Sequence, residues 1–592
     1  MSGEPQEEDG AGRPFDRVLA RRLLAHLRPY ARWVWLAVLL LFCNSLLQLV
    51  GPYLTKIAID DHIRVGDLHG LGRLALLYLG VVLLDFTLEY AQFYVMQWVG
   101  QQIMFDLRSR IMRHLVRLEL GFYDHNPVGR LMTRVMGDVG TLHELFTTGV
   151  VAIFGDFLTL VGIVIAMFLL DWRLALVANL VLPALFLISL LFRARVRTSY
   201  RIVRGRVAAM NAFLQEHLTG MRVVQLFGRE GASLQKFAGL NGAHREAHLR
   251  TILYYALFYP AVELVSAAAT ALIVWYGGGR VVQNSLELGV LVAFLQYAER
   301  FFRPISDLAE KYNTFQSAMA SSERLFRLLD REPRLQSPPS ARRLERARGH
   351  VVFDDVHFEY KPGEPVLEGL SFEVQPGERV AVVGATGAGK TSVLSVLTRL
   401  YDIQRGRILL DGIDVRSLDL TDLRRQVGVV LQDPFLFAGS IESNIRLGEA
   451  RITSEQVQEA ARLVHAERFI AKLPEGYTTE VSERGSTLSV GQRQLLALAR
   501  VLAFDPAVLV LDEATSSVDT ETELEIRDAV HRVLAGRTSL VVAHRLSTIQ
   551  DCDRILVLHR GRLREAGSHA ELLRAGGIYA RLYELQFRDQ AA

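Results

Sequence analysis

The stretch Val380 to Ser392 reads V-A-V-V-G-A-T-G-A-G-K-T-S, and its types and spacing carry the clearest chemistry in the chain. Four apolar residues, Val380 to Val383, read as a short buried strand, and Val393, Leu394, Val396 and Leu397 as the start of an apolar helix. Between them lies G-x-x-x-x-G-K-T, with Gly384, Gly389, Lys390 and Thr391 in place. Thr386, Gly387, Ala388 and Ser392 fill out the candidate phosphate-binding set. Glycines let the loop curl so that successive backbone N–H groups point inward, and the helix N-terminus adds partial positive charge. Lys390 can reach β- and γ-phosphates, and the Thr391 hydroxyl can ligate Mg²⁺. A bare G-x-x-x-x-G would also fit a strand–helix turn without ligand. The G-K-T that follows a strand points instead to a nucleoside triphosphate.

Several domains must surround this loop, because 592 residues exceed what one hydrophobic core serves. Half of the residues are hydrophobic, a high share for a soluble enzyme. The net charge of +3 gives no general argument for nucleic-acid binding. Cys43 and Cys552 stand far apart without metal-ligand spacing, which argues against a disulfide framework and a structural zinc site. Residues 1–13 are acidic and lack the basic start of a cleaved secretory signal, so they read as a disordered tail.

Hydropathy assigns residues 31–325 to a membrane. Residues 14–30 are amphipathic, with Phe15, Val18, Leu19, Leu23 and Leu27 at helical spacing between arginines, as in a helix lying among headgroups. Six largely apolar runs follow: Trp33–Leu54, Leu71–Met104, Leu145–Leu170, Trp172–Phe192, Ile252–Tyr276 and Leu286–Phe302. Two long connections, Phe105–Glu144 and Arg193–Arg250, are rich in arginine, so both face the cytoplasm together with the termini. Each is interrupted near its middle, at Gly121–Gly129 and Leu218–Gly228, where a helical hairpin can turn. Asp85, Glu89, Asp156 and Glu263 fall inside the runs. Intramembrane carboxylates are costly and either pair with neighbouring helices or line a cavity. Helical spacing is lost over 326–349, where prolines cluster in a linker. Strand-like alternation begins at His350, and 350–592 suffices for one α/β domain with an antiparallel portion.

Six spans followed by such a domain resemble a half-transporter of the ATP-binding cassette superfamily, of the multidrug and lipid exporter type. Its marks occur in family order. Tyr360 stands where the family stacks a ring on adenine, and Gln432 in V-L-Q-D-P-F-L-F where it touches Mg²⁺. Ser482–Gly485 is similar to the segment that contacts the spans, and L-S-V-G-Q (Leu488–Gln492) to the signature. V-L-V-L-D-E (Val508–Glu513) resembles the second nucleotide strand, Ser516–Asp519 the following loop, and His544 the switch histidine. The two interruptions resemble coupling helices.

The resemblance implies a multidomain membrane protein with a six-helix transmembrane domain and an α/β nucleotide domain. It implies ATP and Mg²⁺, with Asp512, Gln432 and Thr391 at the metal and Glu513 and His544 on the attacking water. Ser489, Gly491 and Gln492 would complete the ATP site of a second subunit, so the chain must dimerise. The family's usual L-S-G-G-Q is altered here by Val490, whose branched Cβ disfavours positive φ and crowds the γ-phosphate. Weakened signatures on both sides would sit oddly with an intact Glu513 and His544, so a heterodimer is expected. The implied activity is ATP-driven export from the cell membrane of a drug, lipid or peptide. An ATP-gated channel or sensor of the same fold is the alternative, and nucleic acid is not an expected partner.

Overall fold

A computed structural model describes residues 17–512, 520–542 and 546–587. The acidic tail expected at 1–13 lies outside them. Two compact units emerge: residues up to 115 with 129–331, and 116–128 with 332 onward.

The first unit is helical. A short amphipathic helix α1 (Arg17–Ala25) precedes α2 (Ala31–Ile57) and the 48-residue α3 (Leu68–Leu115). The segment α4 (Leu120–His125) is a short helix of the second unit. The first unit resumes at Gly129 with short helical segments to Gly149, followed by α5 (Val150–Leu170), α6 (Trp172–Asn179), α7 (Leu182–Thr219), α8 (Met221–Leu226), α9 (Glu230–Leu272) and α10 (Leu288–Leu329). Five described helical stretches are long and apolar enough to cross a membrane, namely Arg28–Ile63, Leu68–Leu115, Ile153–Leu170, Trp172–Thr219 and Glu230–Val282. The sixth expected run opens α10. At about 1.5 Å per residue α3 is roughly 70 Å long, more than twice a hydrocarbon core of about 30 Å. The fourth expected run is not one uninterrupted helix: α6 ends at Asn179 and α7 begins at Leu182, because Pro183 sits in the first turn of α7 and cannot continue an incoming helix.

Polar side chains inside this unit are mostly matched. Asp171 caps α6 by accepting from the Leu174 amide (2.8 Å) and pairs with Arg280 (2.7 Å). Lys311 pairs with Asp156 at 2.5 Å. Arg324 and Ser321 both donate to the buried Asp138. Just after α2, the Asp60 carboxylate accepts from the Gly289 amide at 2.7 Å. A Cβ on Gly289 would lie 2.5 Å from the Lys56 carbonyl, so this seam between α2 and α10 admits only glycine.

The second unit carries the sheets. An antiparallel sheet has the order β2-β1-β4-β5, from β1 (Val351–Glu359), β2 (Pro365–Val374), β4 (Arg405–Leu410) and β5 (Ile413–Asp414). Phe353 pairs with Phe372 across it, rings stacked at 4.5 Å. The larger sheet has the order β12-β11-β3-β10-β9-β6. Its members are β3 (Arg379–Val383), β6 (Val427–Val430), β9 (Val508–Asp512), β10 (Thr538–Val542), β11 (Arg554–His559) and β12 (Arg562–Gly567). All pairs but β11–β12 are parallel. Every residue of β9 and β10 is buried, as expected of parallel strands covered on both faces.

Candidate functional site

Parallel order brings the ends of β3, β6, β9 and β10 to one edge, the carboxyl edge where open α/β sheets receive ligands. Registry sharpens this, since Val542 pairs with both Asp512 and Val382. The start of the loop after β3, Asp512 and the end of β10 therefore stand at nearly one level.

The loop itself is built by close approach. A Cβ on Gly384 would lie 2.3 Å from the Leu558 carbonyl, so β11 can pack here only against glycine. Gly387 and Gly389 adopt φ of 82° and 98°, conformations that side chains resist. The helix α11 (Lys390–Leu397) then starts abruptly, anchored by the fully buried Val393 and Leu397. Lys390 is only 7 % exposed, and its ammonium donates to the loop's own Gly384 (2.7 Å) and Ala385 (3.2 Å) carbonyls. Burial pushes its pKa down, opposed by the Asp512 carboxylate. A desolvated cation held by two carbonyls is a natural receiver for a stronger anion. Thr386, Gly387 and Thr391 are exposed, whereas Ala388, Gly389 and Ser392 are buried. Tyr360, directly after β1, is 44 % exposed and shares a 3.1 Å hydrogen bond with Ser392.

Asp512 is buried at the end of β9. Gln432 is exposed in the segment after β6. That segment is held by Arg500, whose guanidinium donates to the Phe435 carbonyl (3.2 Å) and the Asn444 carbonyl (2.9 Å). Arg500 lies in α12 (Val490–Phe504), the helix that starts at L-S-V-G-Q. Ser489 caps α12: its hydroxyl accepts from the Gln492 amide (3.2 Å) while the Gln492 side chain accepts from the Ser489 amide (3.0 Å). Gly491 is buried. No hydrogen bond among the described residues joins Ser489–Gln492 to the phosphate loop. Glu513, His544 and Ser516–Asp519 lie outside the described residues.

One expectation is corrected. Val490 is the first residue of α12 and is not among the positive-φ residues, so valine strains no backbone there. Its side chain is 39 % exposed, and bulk is the only property in which it departs from glycine.

In the helical unit, Asp85 accepts from the Asn44 amide at 3.1 Å, and Asn44 in turn accepts from Gln48. Asp156 is taken up by Lys311. Glu89 and Glu263 are exposed and have no hydrogen bond or ion pair among the described residues. Glu263 borders an open cleft of about 720 Å³ with Ser266, Thr270 and Trp275.

Reading the sequence missed Arg500 and Tyr401. A lone arginine in the apolar run L-L-A-L-A-R-V-L-A could have flagged the first, since a buried guanidinium must find acceptors. Tyr401 follows α11 with no local cue, yet its ring meets Tyr360 edge-on at 5.0 Å and its hydroxyl donates to Asp124 of α4.

Comparison with known proteins agrees with this architecture. Residues 34–305 match the model of the ABC transporter transmembrane region, and 367–516 that of the ABC transporter. The chain is 39 % identical, over 97 % of its length and 96 % of the relative, to the uncharacterized ABC transporter ATP-binding protein YknV of Bacillus subtilis. It is 35 % identical to the ATP-dependent lipid A-core flippase of Syntrophus aciditrophicus, covering 96 % of this chain and 94 % of that one. A probable multidrug resistance ABC transporter protein of Bacillus subtilis, YheH, is 37 % identical over 88 % of this chain and 77 % of its own. Among solved structures, a bacterial Atm1-family ABC exporter with ATP bound superposes with a TM-score of 0.77 at 31 % identity, covering 95 % of this chain and 98 % of the other.

Proposed function

The chain belongs to the ABC transporter family, and from that premise we propose how its residues drive export. It is a multi-pass membrane subunit that hydrolyses ATP to power an exporter. The carrying observation is the shared carboxyl edge of β3, β9 and β10, with buried Lys390 and Asp512 upon it.

In this reading Tyr360 stacks on adenine, and the loop from Gly384 through Thr386, Gly387, Ala388 and Gly389 offers backbone donors to the phosphates. Lys390 exchanges the Gly384 and Ala385 carbonyls for phosphate oxygens, which offsets charge on the transferring group. No group of three His, Cys, Asp or Glu side chains able to hold a metal occurs among the described residues. A divalent ion bound here with ATP would take part of its shell from nucleotide and water oxygens, the habit of Mg²⁺. Thr391, Asp512 and Gln432 supply the hard oxygen donors that fit it. Bound with ATP, Mg²⁺ neutralises charge on the β- and γ-phosphates. Glu513 takes a proton from the attacking water as its oxygen bonds the γ-phosphorus and the link to the β–γ bridging oxygen breaks, leaving ADP and phosphate. His544 orients that water from the adjoining strand end.

Ser489, Gly491 and Gln492 complete the site of a second subunit. We assign that subunit to a different chain, because the Val490 side chain adds bulk where the family has none. The ordinary backbone at Val490 favours the competing homodimer reading, and co-purification from the native host separates the two. Arginine-rich connections support a cytoplasmic side of the cell membrane for both termini and the nucleotide domain. ATP clamped between two such domains draws α4 and α8 inward, and the spans alternate their access. The relatives named for lipid A and for multidrug resistance support an amphiphilic cargo. Glu89 and Glu263, without hydrogen bond or ion pair among the described residues, favour one that carries positive charge.

Glu513→Gln is the direct test. Steady-state hydrolysis by the purified complex in lipid vesicles is expected to fall about 10²- to 10⁴-fold while ATP still binds. Unchanged turnover would sink the assigned role.

A further inference from the structure

We propose that Tyr401 is a positioning residue that ties recognition of the nucleotide base at Tyr360 to the cytoplasmic helix α4. The proposal rests on the ATP-driven reading above and concerns how occupancy of that site is reported.

Three contacts form a continuous path within the second unit, and Phe358 braces it. Ser392, on the helix that opens the phosphate loop, shares a 3.1 Å hydrogen bond with the Tyr360 hydroxyl. The Tyr360 ring meets Tyr401 edge-on, with centroids 5.0 Å apart and planes at 87°. Phe358 closes the cluster at 4.7 Å from Tyr360 and 5.9 Å from Tyr401. The Tyr401 hydroxyl donates to the Asp124 carboxylate on α4. A Cβ on Gly121 would lie 3.4 Å from the Tyr401 ring, so α4 rests directly on that ring. The nearly fully buried Phe122 and the bond from the Arg334 amide to Glu119 (3.2 Å) hold the rest of α4 on the same unit.

Tyr360 is 44 % exposed, yet two perpendicular ring contacts and the Ser392 bond hold it. A base stacking on its exposed part restrains a ring that packs on Tyr401, whose hydroxyl has one polar partner among the described residues, Asp124 on the helix. Burial and the Asp124 carboxylate both push the Tyr401 hydroxyl pKa up, so the hydroxyl stays a donor across the physiological range. A mere packing role would be served by the ring alone. The hydroxyl–carboxylate bond distinguishes a link from a filler.

The test uses the full exporter complex in lipid vesicles, with Glu513→Gln to hold ATP and a bimane label at His125→Cys in a background free of Cys43 and Cys552. Saturating ATP is expected to change the label's fluorescence. Tyr401→Phe keeps the ring and loses the bond, so ATP affinity stays within about twofold while the change is lost. Tyr401→Ala removes the support of Tyr360, and ATP affinity falls roughly two- to tenfold, the span expected of one aromatic pair. Asp124→Asn retains an acceptor oxygen and rescues the signal, whereas Asp124→Ala reproduces Tyr401→Phe. A Tyr401→Phe protein with the full ATP-induced change overturns the link, as does Tyr401→Ala with unchanged affinity. A labelled chain with Tyr401, Asp124 and Glu513 intact that transports while ATP leaves the label unmoved also overturns it, and leaves the ATP-driven reading intact. Failure of the unmodified chain to bind ATP overturns that reading itself.

Discussion

Two helix starts in the nucleotide domain carry the chemistry, and the chain treats them differently. At α11 the backbone is over-determined: Gly384 fits under the Leu558 carbonyl, Gly387 and Gly389 take positive φ, and Lys390 is buried on two carbonyls. At α12 the start is exposed and is held by a reciprocal cap between Ser489 and Gln492. The first start is finished inside one chain. The second presents polar groups that, among the described residues, serve only to cap the helix. Positive φ and burial are concentrated at the first start, and the second is left exposed.

The largest effect should follow from attacking the finished start. Lys390→Ala removes a preorganised cation and is expected to lower ATP turnover roughly 10²- to 10³-fold, with ATP binding weakened as well. Steady-state ATPase and nucleotide-binding titrations of the purified complex check this. Hydrolysis within tenfold of the parent would show that the loop's backbone donors suffice, and the contrast between the two starts would lose its energetic basis.

A smaller effect is expected further along the helix that begins at the exposed start. Arg500 joins α12 to the segment that carries Gln432 through the Phe435 and Asn444 carbonyls, and its guanidinium pKa is pushed down by burial. Arg500→Ala leaves those acceptors unpaired, a cost of about 1–3 kcal/mol. Hydrogen exchange of amides near Phe435–Phe437 should quicken by roughly five- to a hundredfold in the intact complex. Exchange at parental rates would mean that the segment is held by other contacts, among them the bond from the Arg484 amide to the Leu436 carbonyl.

How much of this was legible beforehand follows the range of the interactions. The α11 start was readable because glycine, lysine and threonine spacing is dictated locally by phosphate geometry. Apolar runs marked the spans for the same reason, since bilayer thickness imposes a length. The break between α6 and α7 was missed although Pro183 signals it, because hydropathy averages across a proline. Tyr401 and Asp124 are 277 residues apart and carry no local signature. The strain expected at Val490 was wrong for a physical reason: the residue lies at the first turn of a helix, where φ is negative and a branched side chain is tolerated.

The smallest expected effect comes from that same position, and it decides what the exposed start faces. With backbone strain gone, Val490 acts only through its exposed side chain, whose two γ-methyls stand beside the Ser489 cap. Val490→Gly deletes that bulk and alters no bond in the cap, since Ser489 and Gln492 satisfy one another. If the chain pairs with a different subunit, its own start covers the partner's slow site, while Glu513 faces the partner's signature. Turnover of the complex should then change by less than about twofold, the scatter of a surface substitution. If two copies of this chain pair, both productive sites gain the missing room, and turnover should rise together at both, about fivefold or more for each 1 kcal/mol of relieved crowding. ATPase rates of Val490→Gly in complexes purified from the native host measure this directly. A rise beyond fivefold, with only this chain present, would overturn the asymmetric assignment and leave the contrast between the two helix starts standing.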